Sequence, residues 1–265
     1  MGKIYKYLEY DVLRLALSEE GLCSFRCSYP RDFNDPYELF LTLDFQKQEP
    51  ELLAYYYDVI GDLPQYPVTC FSKAPDVIPM WAHYGHSHRG VVLEFDENEF
   101  SRHFTSARFG DVDYQNEPDE SLEAILSRAF HIGKPRYHYF LMEGVLSAAY
   151  FTKQLCWEYE KERRLVLPEK DIKKTGEMML VKFPTSCITS VISGRNSSDE
   201  DKEFGKRAAD DIGALYYSHL IRYPDIFIAQ HIGFLEDGRT KSRVLLNAEE
   251  TSMPSEGDFS GRFCS

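Results

Sequence analysis

The chain has 265 residues, 43% hydrophobic and 28% charged, which excludes a disordered chain and leaves ample length for one large core. Its 43 acidic residues outnumber 30 basic ones for a formal net charge of -13, so avid nonspecific binding of duplex nucleic acid is disfavoured, while a locally basic groove remains allowed. No apolar run approaches the roughly 18 residues that span a bilayer, and MGKIYKYLEYD has no apolar signal region; the reading is a soluble, cytoplasmic protein with no membrane partner.

IYKYLE (4–9) alternates as a strand, and Asp11 is expected to N-cap a short helix with Val12, Leu13, Leu15, Ala16 and Leu17, ended by Gly21. LCSFRCS (22–28) is a second strand, and FNDPYE (33–38) begins as an ordered turn. Residues 49–61 read as helix, VTCFS (68–72) as a buried strand and 77–85 as helical after Pro79. RGVVLEFD (89–96) is the clearest strand, and ARFGDVDYQ (107–115) is expected as another. Helices are expected over 119–131 and 136–156, the second with Leu141, Val145, Ala148, Ala149, Thr152 and Leu155 on one face. RRLVLP (163–168), MMLVKF (178–183) and SCITSVIS (186–193) are strand-like; Ser197 or Ser198 then caps a helix expected to run to about His219. A strand pair (224–234 and 242–247) around EDGR closes the pattern.

Strands and helices intermix without a βαβ cadence or a fixed repeat, which gives one α+β domain over 1–246 with a bent, mostly antiparallel sheet interrupted by helices. Residues 247–265, poor in aliphatics, are expected to be a flexible tail. The six cysteines form no CxxC pair and are expected as reduced, buried, small apolar residues.

Fingerprints for Walker-type hydrolysis, Rossmann dehydrogenation, zinc proteases, GxSxG hydrolases and kinases are missing. Four features could carry chemistry. In WEYEKERRLVLP (157–168), Glu158, Glu160 and Glu162 share parity and would face one side of an extended segment, their repulsion offset by Lys161, Arg163 or Arg164. This is either a solvated, salt-bridged strand entry or a carboxylate site that stabilises an oxocarbenium cation. The run 70–96 interleaves His83, His86 and His88 with Trp81 and Tyr84; the histidines fit no standard zinc spacing, no metal is expected, and the rings are either core or a stacking wall for a flat ligand. Lys6 between Tyr5 and Tyr7 is an exposed charge or a contact for a ribose oxygen or pyrophosphate. Asn34, Asp35 and Pro36 in FNDPYE form a turn that is structural first.

YKY, FNDPYE, CFS, MWAHYG with RGVVLEFD, WEYEKERR and VISG resemble, in this order over roughly 4–235, a bacterial and phage-associated family of unknown function. The same order is similar to that of ADP-ribosyltransferases, particularly the nucleic-acid-modifying toxin branch. That resemblance implies an ADP-ribosyltransferase-like fold with NAD as co-substrate and no metal. It places Lys6, with Tyr5 or Tyr7, at the NAD ribose, and Tyr84, Trp81 and His83 around nicotinamide. Glu162 becomes the catalytic residue and accepts a ribose hydroxyl, with Glu160 orienting the acceptor. Lys6 stands where that superfamily usually has Arg or His, and no Ser-Thr-Ser strand is present. A nucleic-acid or protein acceptor and, for a toxin or phage-defence effector, a neutralising partner protein are the implied partners. The alternative is a non-catalytic partner- or ligand-binding protein of a defence or counter-defence system; a metal-dependent hydrolase using the histidines or a carboxylate pair is the third reading.

Overall fold

In order along the chain, the first elements are Lys3–Leu8 (β1), Tyr10–Ala16 (α1), Leu22–Cys27 (β2), Pro50–Gly61 (α2), Val68–Ser72 (β3) and Ile78–His83 (α3). Val91–Asp96 (β4), Glu97–His103 (α4), Arg108–Asp111 (β5), Asp113–Gln115 (β6), Glu120–Ile132 (α5), Pro135–Phe151 (α6) and Thr152–Gln154 (β7) follow. Then come Glu162–Val166 (β8), Ile172–Thr175 (β9), Met178–Pro184 (β10), Ile188–Ser193 (β11), Asp199–Ile212 (α7), Leu215–Arg222 (β12), Asp225–Phe234 (β13), Thr240–Leu246 (β14) and Glu249–Thr251 (β15). This computed structural model describes residues 2–33, 43–61, 63, 65–118, 120–222, 225–234, 240–246 and 249–251, with backbone alone at 31, 60 and from 219 onward. Asn34–Glu38 of the FNDPYE turn and the EDGR turn therefore lie outside the described residues, as does most of 247–265, where only β15 is described.

The fold is α+β, a single domain around a mixed, mostly antiparallel sheet of order β15-β14-β13-β12-β11-β4-β1-β3-β8-β5. Within that sheet the β11–β12 pair is parallel. A three-stranded antiparallel sheet, β2-β10-β9, supplies a second layer. Between the two lies a packed set of rings, Phe25, Phe71, Phe95, Phe100 and Phe183, in mostly edge-on contact down to 4.5 Å between the Phe100 and Phe183 centroids. A satellite core holds α2 against the α5–α6 hairpin through Tyr56, Val59, Leu122, Leu126, Leu141 and Val145. Gly110 on β5 has no Cβ because the Phe151 ring at the end of α6 occupies that place. No helix among the described residues is long and apolar enough to cross a membrane.

The expected elements recur with several shifts, and α4 and β9 appear where no element is expected. The first helix begins at Tyr10 behind Glu9, so Asp11 lies inside it rather than capping it, and it ends at Ala16, short of Gly21. The strand read from 186 begins at Ile188, after a 3₁₀ turn over Thr185–Cys187. The strand read over 107–115 divides into β5 and β6 at buried Val112, because β5 pairs with β8 whereas β6 pairs with β7. The helix read over 136–156 stops at Phe151: Thr152 is extended (φ -125°, ψ 143°), and 152–154 pair as β7. The helix read to His219 stops at Ile212, where Gly213 turns left-handed (φ 71°) and caps it, and Leu215–Arg222 is strand. Of the two candidate caps it is Ser198 whose Oγ accepts the Asp201 amide at 3.1 Å, over a first turn of Asp199, Glu200 and Asp201 that favours the helix dipole. Ser198→Ala is expected to cost about 1 kcal/mol in urea denaturation, and Ser197→Ala is not expected to remove that cap.

Candidate functional site

Strands β1 and β3 share one register pair, Tyr5 with Ser72, and then part. On β8, Glu162 pairs with Ser72 and Arg164 with Cys70, so Tyr5, Ser72 and Glu162 form one row across three strands, on one face. Where the strands diverge a cavity of about 280 Å³ opens, lined by segments far apart in sequence: Tyr5–Tyr7, Ser28, Asp32 and Phe33, Cys70–Ser72, Met80 and Tyr84, Lys153, Trp157 and Glu160, then Glu162 and Arg164.

Lys6 reaches into the parting. Its Nζ donates to the Cys70 carbonyl at 2.6 Å and to Thr69 Oγ1 at 3.3 Å, in the space where a β1–β3 ladder would have continued. The ammonium also lies 5.5 Å from the Phe71 ring centroid and 5.7 Å from that of Phe25. Desolvation lowers its pKa, against the opposing pull of Cys70, Cys27 and Glu162, and no carboxylate among the described residues pairs with it. Its two neighbours hold the frame: the Tyr7 hydroxyl donates to the Ala74 carbonyl at 2.9 Å, and burial and the nearby Glu94 keep the Tyr5 phenol neutral.

The floor is an alternating chain of charges. Arg164, wholly buried, grips Glu162 with two bonds, Nε to Oε1 at 2.9 Å and Nη2 to Oε2 at 3.0 Å, and donates a third to the Tyr150 carbonyl at 2.9 Å. Lys153 Nζ lies 3.4 Å from Glu162 Oε2 and 2.6 Å from Glu160 Oε2, with the Trp157 ring centroid at 4.8 Å. Glu160 Oε1 accepts the Tyr84 hydroxyl at 2.7 Å. Burial alone would raise the Glu162 carboxyl, but the charge and hydrogen bonds of Arg164, with Lys153 and the Cys70 thiol, bring it down to about 2. Burial, then the bond to Glu160, raises Tyr84, so it donates as a neutral phenol. The pocket thus carries three cations against two buried carboxylates, with Asp32 exposed at its edge.

The glutamates converge, but not by parity. Residues 155–160 form a 3₁₀ turn, Lys161 adopts a left-handed conformation (φ 46°), and the strand begins at Glu162. Glu158 is therefore exposed, while Glu160 and Glu162 reach the pocket from a turn and a strand. Of the three cations expected to offset them only Arg164 does so, at Glu162, while Lys153 pairs Glu160; Arg163 points elsewhere, to Glu97 and Asp111, and Lys161 is exposed. Trp81, offered above as a stacking surface, is wholly buried, packs edge-on against Tyr7 at 5.4 Å and gives its N–H to the Pro75 carbonyl at 2.7 Å, so it is core. His83 is exposed and outside the cavity, beside the Tyr159 ring. The other two histidines also lie apart from it: His86 is exposed and His88 stacks on Trp81.

Lys153 went unread in the sequence because it lay inside an expected helix. Trp157 stood in a motif read for its acids. Cys70 carried no signal, being one of several apolar-context cysteines; its thiol is kept protonated by burial and by Glu162 beside it. Among the described residues no group of three His, Cys, Asp or Glu side chains is placed to hold a metal.

Residues 80–165 match a family described as protein of unknown function (DUF2971). The match is narrower than the 4–235 over which the motif order was read. The matched segment contributes Met80, Tyr84, Lys153, Trp157, Glu160, Glu162 and Arg164 to the cavity; the β1 and β3 walls and Ser28, Asp32 and Phe33 lie outside it. No curated protein and no solved structure matches the chain.

Proposed function

We propose that the protein is an NAD-dependent ADP-ribosyltransferase-like enzyme acting on a nucleic-acid or protein acceptor. The observation that supports this reading is the meeting of Lys6, Tyr84, Glu160 and Glu162, drawn from three distant segments, around one cavity. At about 280 Å³ the cavity is near the lower end of ligand pockets, ~300–1,000 Å³, so it takes the nicotinamide–ribose end and leaves the rest of the dinucleotide at its mouth. Lys6, a cation without a carboxylate partner among the described residues, suits a phosphate or ribose oxygen, and Tyr84 with Trp157 offers ring faces to nicotinamide.

In this mechanism the nicotinamide–ribose bond breaks, the bonding pair leaves with the nicotinamide nitrogen, and positive charge develops at the sugar. Glu162, its oxygens already held by Arg164 and Lys153, acts as a fixed negative charge beneath that centre. The role of ribose-hydroxyl acceptor goes to Glu160, whose oxygens each receive one protein hydrogen bond and have a lone pair left. The acceptor nucleophile attacks from the cavity mouth and releases its proton to solvent.

The test is nicotinamide release from NAD. Glu160→Gln keeps an oxygen for the Tyr84 hydroxyl and leaves Lys153 its Glu162 partner, so it is the variant suited to the assay. Release by the unaltered protein, reduced about 100-fold in Glu160→Gln at unchanged thermal unfolding, is expected. Equal release by both proteins would refute the assignment.

The second reading, a non-catalytic binding protein, is favoured by the saturation of Glu162: a carboxylate clamped on both oxygens is also what a purely structural ion network contains. It predicts thermal stabilisation by NAD or another anion with no nicotinamide released.

A further inference from the structure

Between Glu123 and Glu143 the sequence has no acidic residue, although the chain as a whole is at -13. That interval is the tip of the α5–α6 hairpin: α5 ends at Ile132, Gly133 turns left-handed (φ 65°) and Pro135 opens α6. Arg128, Lys134 and Arg136 are exposed there, and none has a carboxylate partner among the described residues. They share one neighbourhood. Arg136 Nη2 donates to the Tyr137 hydroxyl at 2.9 Å with its guanidinium 4.7 Å over that ring, and this bond, with the charges of Arg136, Arg128 and Lys134, lowers the Tyr137 phenol from its ordinary value.

The same tip exposes rings, of which Phe130 also touches Tyr55 of α2 at 5.5 Å between centroids. Tyr139 is 59% and Phe140 53% exposed, their centroids 5.7 Å apart, and Phe130 and His131 are exposed on α5. The hairpin is secured from its other side by Leu122, Leu126, Leu141 and Val145 against α2. Arg136, Tyr139 and Phe140 stand at i, i+3 and i+4, so a cation and two rings share one helical face. Arg128, His131 and Ile132 repeat the spacing on α5.

We infer that this tip is a binding surface for single-stranded nucleic acid, its cations meeting phosphates and its rings stacking on bases. Charge complementarity selects the occupant: a polyanion repelled by the chain's overall charge is accepted at a stretch that contributes three exposed cations and no acid of its own. A membrane-surface helix segregates its cations from its apolar face, whereas here they are interleaved, with Ile132 the one exposed large aliphatic in the stretch 128–140. The inference rests on the hairpin alone and holds whether or not the cavity is a transferase site.

The experiment is fluorescence anisotropy of the full chain with a labelled oligothymidylate, alongside sedimentation with vesicles of anionic phospholipid. Three phosphate contacts on a single strand give a salt slope near -2, so binding is expected to weaken roughly 20-fold between about 50 and 200 mM salt. The triple variant Arg128→Glu/Lys134→Glu/Arg136→Glu is expected to lose binding. Tyr139→Ala/Phe140→Ala is expected to weaken it at least about fivefold while keeping the salt slope. All five positions are exposed, so unaltered thermal unfolding certifies both variants, and nicotinamide release without acceptor is expected to be unaffected. Absence of oligonucleotide binding at low salt, binding indifferent to both variants, or tip-dependent vesicle binding without oligonucleotide binding would each overturn the inference.

Discussion

Arg164→Met is expected to destabilise the fold by about 3–5 kcal/mol, read as a lower urea midpoint at unchanged slope. The guanidinium has no solvent exposure, and it gives two bonds to Glu162 and one to the Tyr150 carbonyl. Removing it strands a buried carboxylate with Lys153 as its remaining ionic partner and leaves that carbonyl without the donor that satisfies it. The companion Arg164→Met/Glu162→Leu removes both charges together and is expected to recover much of the loss, because two well-packed apolar chains avoid the desolvation cost that either lone ion carries. A double variant no more stable than Arg164→Met, or a single variant losing under about 1 kcal/mol, contradicts this account of the floor. Glu162→Gln is for the same reason a poor probe of catalysis: it leaves Lys153 and Arg164 short of negative charge, so lost activity is not separable from lost structure.

Acid should unfold the protein by titrating that same carboxylate. Glu162 has a folded pKa of about 2 against an ordinary value of 4.5. A depressed acid stabilises the folded state above its unfolded pKa, and that contribution disappears as pH falls through the folded value. Here roughly 3 kcal/mol is at stake, fully present above about pH 4.5 and withdrawn between about 4.5 and 2. Urea denaturation at pH 7, 4.5, 3 and 2 measures it. The drop should be blunted in Arg164→Met, where the main cause of the depression is gone; an equally steep drop in that variant points to other carboxylates.

How far the sequence revealed these features follows from which physics was local. Strands such as β1, β3 and β4 show in side-chain alternation or buried runs, and α7 in its cap and acidic first turn, since those signals lie within a few residues. Helix ends were harder. Thr152 leaves the helical path because the strand it enters finds its partner at β6, far along the chain, whereas α7 ends at a local signal, the left-handed Gly213, that an expected helix to His219 overruns. The site was visible as residue types: Lys6, Tyr84, Glu160 and Glu162 could be named because their motifs are unusual. Their arrangement was not, since the ion chain runs through Lys153, whose role depends on a strand that ordinary helical periodicity concealed. Trp81 shows the reverse error, a large ring among histidines that looked like a wall and is filling.

The single register pair between β1 and β3 has a mechanical meaning. Each strand is fully laddered on its far side, β1 to β4 and β3 to β8, so the sheet is two stiff plates stitched at Tyr5 and Ser72. Few main-chain bonds, each worth about 1 kcal/mol net, join the plates there; side chains do the rest, through the Lys6 bonds to Thr69 and Cys70, the Tyr7 bond to Ala74 and the Phe71–Phe95 ring contact. A guest in the cavity touches both plates at once, so binding is expected to splint them together.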